Sequence, residues 1–121
     1  MKFKRVIEDS ENIEIEATPE QKQQLLDFLV FAEDCDLVEL SLGAIWEELQ
    51  VVKEKVAAQT CSGDTLFLDK QQIALINLIF TEFRIQHVPL EQTNYPIEIY
   101  EQLRDDFLKI VESTFDMKFP V

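Results

Sequence analysis

A row of carboxylates at helical spacing is the main chemical feature of the last third of the chain. When residues 96–115 are drawn as an α-helix, five acidic side chains fall within about 60° of one another: Glu98, Glu101, Asp105, Glu112 and Asp116. Like charges three or four residues apart slightly destabilise a helix, so helix stability does not explain this row. A row of carboxylates of this kind attracts a basic protein surface. A solvated face, partly neutralised by Arg104 and Lys109, is the alternative interpretation.

A second acidic region lies between Lys22 and Lys53, an interval without Lys or Arg. Its acidic residues are Asp27, Glu33, Asp34, Asp36, Glu39, Glu47 and Glu48. Several of them follow a predicted helix C-terminus, where the helix macrodipole disfavours anions. A locally unfavourable placement points to function, although a solvated loop also explains it. The same region contains Trp46, a residue type that anchors interfaces and that also occurs at the rim of cores.

Catalytic and metal-binding patterns are weak in this sequence. His87 is the single histidine, and Cys35 and Cys61 lack CxxC spacing. The segment 33–40, EDCDLVEL, lacks the glycine and the terminal glutamate of an EF-hand loop. We find no phosphate-binding loop, nucleophile elbow or dinucleotide fingerprint. We therefore expect no catalysis, no metal site and no cofactor.

Composition restricts the class of partner. The 121 residues include 24 acidic and 11 basic side chains, which gives a formal net charge of −13. This charge disfavours nucleic acids and anionic membranes and favours a basic protein partner, although acidity also serves solubility alone. The N-terminus has no apolar signal core, and the two cysteines are expected to be reduced thiols. We expect a cytoplasmic protein with one domain over residues 1–121.

Apolar periodicity predicts a mainly α (α+β) fold, a compact four-helix domain with an N-terminal β-hairpin. Residues 2–7 and 12–17 alternate between apolar and polar side chains, which predicts a hairpin over about 2–17. Capping boxes at Thr18/Gln21 and Asp69/Gln72 begin two of the helices. The four helices are expected over about 19–33, 41–59, 70–86 and 96–115.

The helix over 70–86 is expected at the centre of the domain. It is apolar around most of its circumference, and Leu78 widens its apolar face. Such a helix belongs inside a domain with neighbours on several sides. Leu26 and Val30, on the first helix, lie beside its inward face and are expected to meet the hairpin or a partner.

Two functions agree with these features. The first is a small acidic inhibitor of the immunity or antitoxin type, which blocks a basic partner such as a nucleic-acid-acting toxin or enzyme. Its expected contacts are the two acidic regions and Trp46. The second is a non-catalytic helical adaptor or regulatory subunit that docks through Leu26, Val30 and Trp46. Salt separates the two functions, because only the first predicts association that slows steeply with ionic strength.

Overall fold

Four helices and a three-stranded sheet form the described part of the chain. The computed structural model describes residues 1–7, 11–33, 46–61, 63–85 and 96–115, with the backbone alone for 82–85. The elements in chain order are β1 (Lys2–Val6), β2 (Asn12–Glu16), α1 (Pro19–Glu33), α2 (Trp46–Gln59), β3 (Thr65–Asp69), α3 (Lys70–Ile85) and α4 (Ile97–Thr114). The predicted fold class, mainly α with an N-terminal hairpin, is confirmed.

The sheet is antiparallel in the order β1-β2-β3, with the hairpin strands first. Ile13 pairs with Leu68 and Ile15 pairs with Leu66 across β2 and β3, and all four side chains are fully buried. The alternation that predicted β2 therefore reflects one apolar face turned toward the core. A β-bulge interrupts the pairing of β1 with β2 at Lys4.

Two of the predicted helix starts have the predicted capping hydrogen bonds. The Thr18 N–H donates to Gln21 Oε1 (2.9 Å), and the Gln21 N–H donates to Thr18 Oγ1 (3.1 Å). Asp69 and Gln72 form the same reciprocal pair at 3.0 and 2.7 Å. Two residue pairs thus satisfy backbone donors that the first turns of α1 and α3 would leave free. Residues 41–45, the predicted start of the second helix, lie outside the described residues.

An aromatic cluster joins three helices in the core. Phe28 of α1 stacks on Phe80 of α3 with ring centroids 4.4 Å apart. Tyr100 and Phe107 of α4 lie 5.9 and 5.7 Å from the Phe80 ring. Aromatic pairs at these separations add to the free energy gained from burial. Phe28 and Tyr100 also lie 5.8 Å apart, so α1, α3 and α4 share one aromatic core in which Phe80 contacts the other three rings.

Polar side chains cover the outer edge of β3. The Gln59 amide donates to the Phe67 carbonyl (3.0 Å) and accepts from the Phe67 N–H (2.8 Å), as a neighbouring strand would. The fully buried Lys22 donates from Nζ to the carbonyls of Gly63 (2.7 Å) and Thr65 (3.1 Å). Side chains from α1 and α2 thereby close an edge that would otherwise be open to strand addition.

Candidate protein-binding surface

The carboxylates of α4 lie on the side of the helix opposite its core face. The core face of α4 is buried and comprises Tyr100, Leu103, Phe107, Ile110, Val111 and Thr114. Glu98, Glu101 and Asp105 project about 180° away from it and are exposed. We call these three residues the α4 acidic stripe. They extend over about 10 Å along the helix axis, given a rise of 1.5 Å per residue.

Few cations neutralise the α4 acidic stripe. Arg104 Nη2 lies 3.2 Å from Asp105 Oδ1 in an exposed pair. Glu98 and Glu101 have no ion-pair partner within the described ranges. The predicted member Glu112 lies on the same line of the helix but is partly buried, and Asp116 lies outside the described residues. Three of the five predicted members are therefore exposed among the described residues. Arg104 and Lys109 lie beside Asp105, at one end of the stripe, whereas Glu98 and Glu101 keep uncompensated charge.

The second acidic region has different surroundings. Glu33, at the end of α1, is partly buried and forms an ion pair with Lys53 of α2. Asp27 is exposed and accepts a hydrogen bond from Gln23 Nε2 of the same helix (2.9 Å). The other predicted contacts of this region, Asp34, Asp36 and Glu39, lie outside the described residues. At Glu33 the structure therefore has a contact between two helices where the sequence predicted a partner contact.

Trp46 begins α2 and is 42% exposed. Lys53, seven residues later, lies on the same side of α2 and pairs with Glu33 of α1. Trp46 therefore lies on the side of α2 that faces α1. Val30 of α1 is 41% exposed, whereas Leu26 packs against the core. Two of the three predicted apolar contacts are thus accessible to a partner.

A groove between α2 and α3 was missed by the sequence prediction. Its volume is about 470 Å³, and its apolar lining consists of Val51, Val52, Ala74, Leu75 and Leu78. Val51 is 56% exposed and Leu78 is 40% exposed. Leu78 is thus an apolar side chain of α3 that the described residues leave partly accessible beside α2. Two features of the sequence pointed to this groove. Leu78 lies beyond the apolar face that one side of α3 needs for packing, and Val51 lies outside the row of apolar residues at three- and four-residue spacing on α2.

The other possible functional groups are dispersed. Within the described ranges, no group of three or more His, Cys, Asp or Glu side chains is placed to hold a metal ion. Cys61 is an exposed free thiol, and Cys35 and His87 lie outside those ranges. No helix among the described residues is both long and apolar enough to cross a bilayer.

Comparison with known proteins gives no match. No protein-family model matches the sequence, and neither a curated protein nor a solved structure is similar enough to count as a relative. Function must therefore be inferred from the residues and their geometry.

Proposed function

We propose that this chain is a non-catalytic, cytoplasmic inhibitor that binds a basic protein through the α4 acidic stripe. The partner class that suits it best is a nucleic-acid-acting toxin or enzyme, because such proteins carry a cationic active site. The stripe would cover that site and exclude the nucleic acid. The observation that supports this proposal is the outward position of Glu98, Glu101 and Asp105, of which Glu98 and Glu101 have no ion-pair partner among the described residues.

The negative charge of the chain affects both the rate of association and the selectivity for a cationic partner. A net charge of −13 attracts a cationic protein over distances of about one Debye length, roughly 8 Å at physiological ionic strength. Complementary charges raise association rates and suppress contacts with acidic or neutral proteins. Carboxylates on a rigid helix lose less conformational freedom on binding than carboxylates on a loop.

The experiment is affinity capture from a lysate of the source cell at low salt, with elution by a salt gradient. Three immobilised baits are compared. The first is the wild-type chain, and the second is the stripe variant, Glu98→Gln with Glu101→Gln and Asp105→Asn. The third is a control that removes three exposed charges elsewhere, Glu16→Gln with Glu20→Gln and Asp64→Asn.

The proposal predicts that a basic protein elutes at moderate salt from the wild-type and control baits and is depleted on the stripe variant. Its nucleic-acid-directed activity should be blocked when the wild-type chain is added back. Equal retention on all three baits would show that net charge alone attracts the protein. Retention of a neutral assembly through high salt would also contradict the proposal.

The adaptor function has its own supporting observation, the exposure of Trp46 at the start of α2. Large aromatic side chains account for much of the binding energy at interfaces. An adaptor of this kind predicts that Trp46→Ala abolishes capture and that salt has little effect. The inhibitor proposal predicts that salt reduces capture strongly and that Trp46→Ala reduces it less. One set of captures therefore separates the two functions.

A further inference from the structure

The groove between α2 and α3 has an unusual combination of apolar floor and acidic rim. Val51 projects into solvent at its edge, and Leu75 and Leu78 line the opposite wall. On α2, Glu47, Glu48 and Glu54 lie three or four residues from Val51, and all three are exposed. Residues at this spacing are neighbours on a helix surface. Three carboxylates and the ammonium group of Lys55, which is also four residues from Val51, therefore surround the exposed apolar edge, and Glu48 lines the groove itself.

Of the two lysines in the middle of α2, Lys55 lies at the groove and Lys53 does not. Lys55 Nζ donates to Asn12 Oδ1 (3.1 Å) and to Gln72 Oε1 (2.9 Å), which holds it against β2 and α3. Lys53 forms its ion pair with Glu33 on the other side of α2. The Lys55 ammonium keeps its charge, because its partners are neutral amide oxygens, and it offsets one of the three carboxylates around Val51. The exposed apolar edge of the groove therefore keeps a net negative charge.

We propose that this groove binds an amphipathic helix of a partner protein, with Leu or Ile side chains in the groove and Lys or Arg side chains at its edges. An open groove between two helices has the shape into which a third helix packs its ridge. The charge complementarity of Glu47, Glu48 and Glu54 selects basic flanking residues. This surface lies on the flank of α3 away from Arg104 and Leu108 of α4. The inference therefore does not depend on the α4 acidic stripe.

The test uses a displayed library of helical peptides of about 18 residues, or five turns. Leu or Ile recurs on one face at steps of three and four residues, and the flanking positions vary among Lys, Arg, Glu, Gln and Ser. Selection is made on the full-length chain, and enriched peptides are titrated by fluorescence anisotropy.

Matched variants identify the surface that the peptides bind. Val51→Gln and Leu78→Gln remove apolar contacts in the groove without changing charge or helix propensity greatly. Leu108→Gln makes the same change on α4, at a side chain that is also exposed. Circular dichroism confirms that each variant is folded.

We expect enriched peptides to carry an excess of Lys and Arg. Each groove variant should weaken their binding roughly tenfold, as for a central interface contact, while Leu108→Gln changes it less than about twofold. The stripe variant should bind the same peptides as the wild type, whether or not the inhibitor proposal survives. Enrichment of acidic or neutral peptides would overturn the inference. So would the absence of any peptide that depends on Val51 and Leu78.

Discussion

Two acidic regions of this molecule differ in what surrounds their carboxylates. Glu33 on α1 is partly buried and paired with Lys53 of α2. Glu98 and Glu101 on α4 are exposed and have no ion-pair partner among the described residues. Both regions are acidic in the sequence, yet the carboxylate of Glu33 is used in a contact between two helices, whereas those of Glu98 and Glu101 face solvent without an ion-pair partner among the described residues.

The difference shows that a charge run gives no direct measure of a binding surface. A carboxylate that meets a lysine across a helix interface contributes to the fold and offers little field to a partner. A carboxylate opposite the core face of a helix contributes almost nothing to the fold. On this basis Glu33 has a role in the contact between α1 and α2, and the α4 acidic stripe is the stronger candidate for function.

The largest change in stability is expected for Phe80→Ala, which tests whether α1 and α4 unfold as one cooperative unit. Phe80→Ala removes the ring that contacts Phe28, Tyr100 and Phe107. Such a truncation should lower the free energy of unfolding by about 3–5 kcal/mol, because it leaves a cavity in the core. Urea unfolding followed by circular dichroism and by Trp46 fluorescence should show one shared transition. Two separate midpoints would mean that the two acidic regions unfold independently.

An intermediate effect is expected at the ion pair. Glu33→Ala leaves the partly buried Lys53 without its carboxylate and should cost about 1–2 kcal/mol of unfolding free energy, between the values for exposed and buried pairs. Asp27→Ala, at an exposed position of the same helix, should change it by less than about 0.5 kcal/mol. Chemical denaturation of both variants measures the difference.

A double-mutant cycle sharpens this result. The double variant Glu33→Ala with Lys53→Ala should lose less unfolding free energy than the sum of the losses in the two single variants, because either substitution alone already removes the ion pair. Strict additivity would show that Glu33 and Lys53 do not interact in solution and would return Glu33 to the candidate contacts.

The smallest effect is expected when the stripe is neutralised. Glu98→Gln with Glu101→Gln and Asp105→Asn removes like-charge repulsion along α4 and should raise stability by a few tenths of a kcal/mol. Thermal unfolding at low salt detects the change as a slightly higher Tm. A marked loss of stability would mean that these carboxylates contribute to the fold, and the contrast with Glu33 would disappear.

Local features of the fold could be predicted from the sequence. The reciprocal pairs Thr18/Gln21 and Asp69/Gln72 are three residues apart, so their spacing alone placed two helix starts. The alternation of Ile13 and Ile15 placed β2 in the same way. Each of these signals depends on neighbours within one turn or one strand.

The surfaces depend on contacts between distant residues and were harder to predict. Glu33 and Lys53 are 20 residues apart, and their pairing requires α1 and α2 to pack together. The groove likewise depends on how α2 packs against α3: the apolar pattern of α3 marks Leu78 as apolar, but it does not show that Leu78 stays exposed. Periodicity identifies which side chains are apolar, and packing decides which of them stay exposed.

The most direct test of the proposed function is the association rate between this chain and its captured basic partner, measured by stopped-flow mixing over a range of ionic strengths. For the wild-type chain we predict an association rate that falls steeply with salt. For the stripe variant we predict a lower rate that depends less on salt. The control variant, with three exposed charges removed elsewhere, should follow the wild type closely. Identical salt dependence for the wild-type chain and the stripe variant would contradict the assignment of the binding surface to α4.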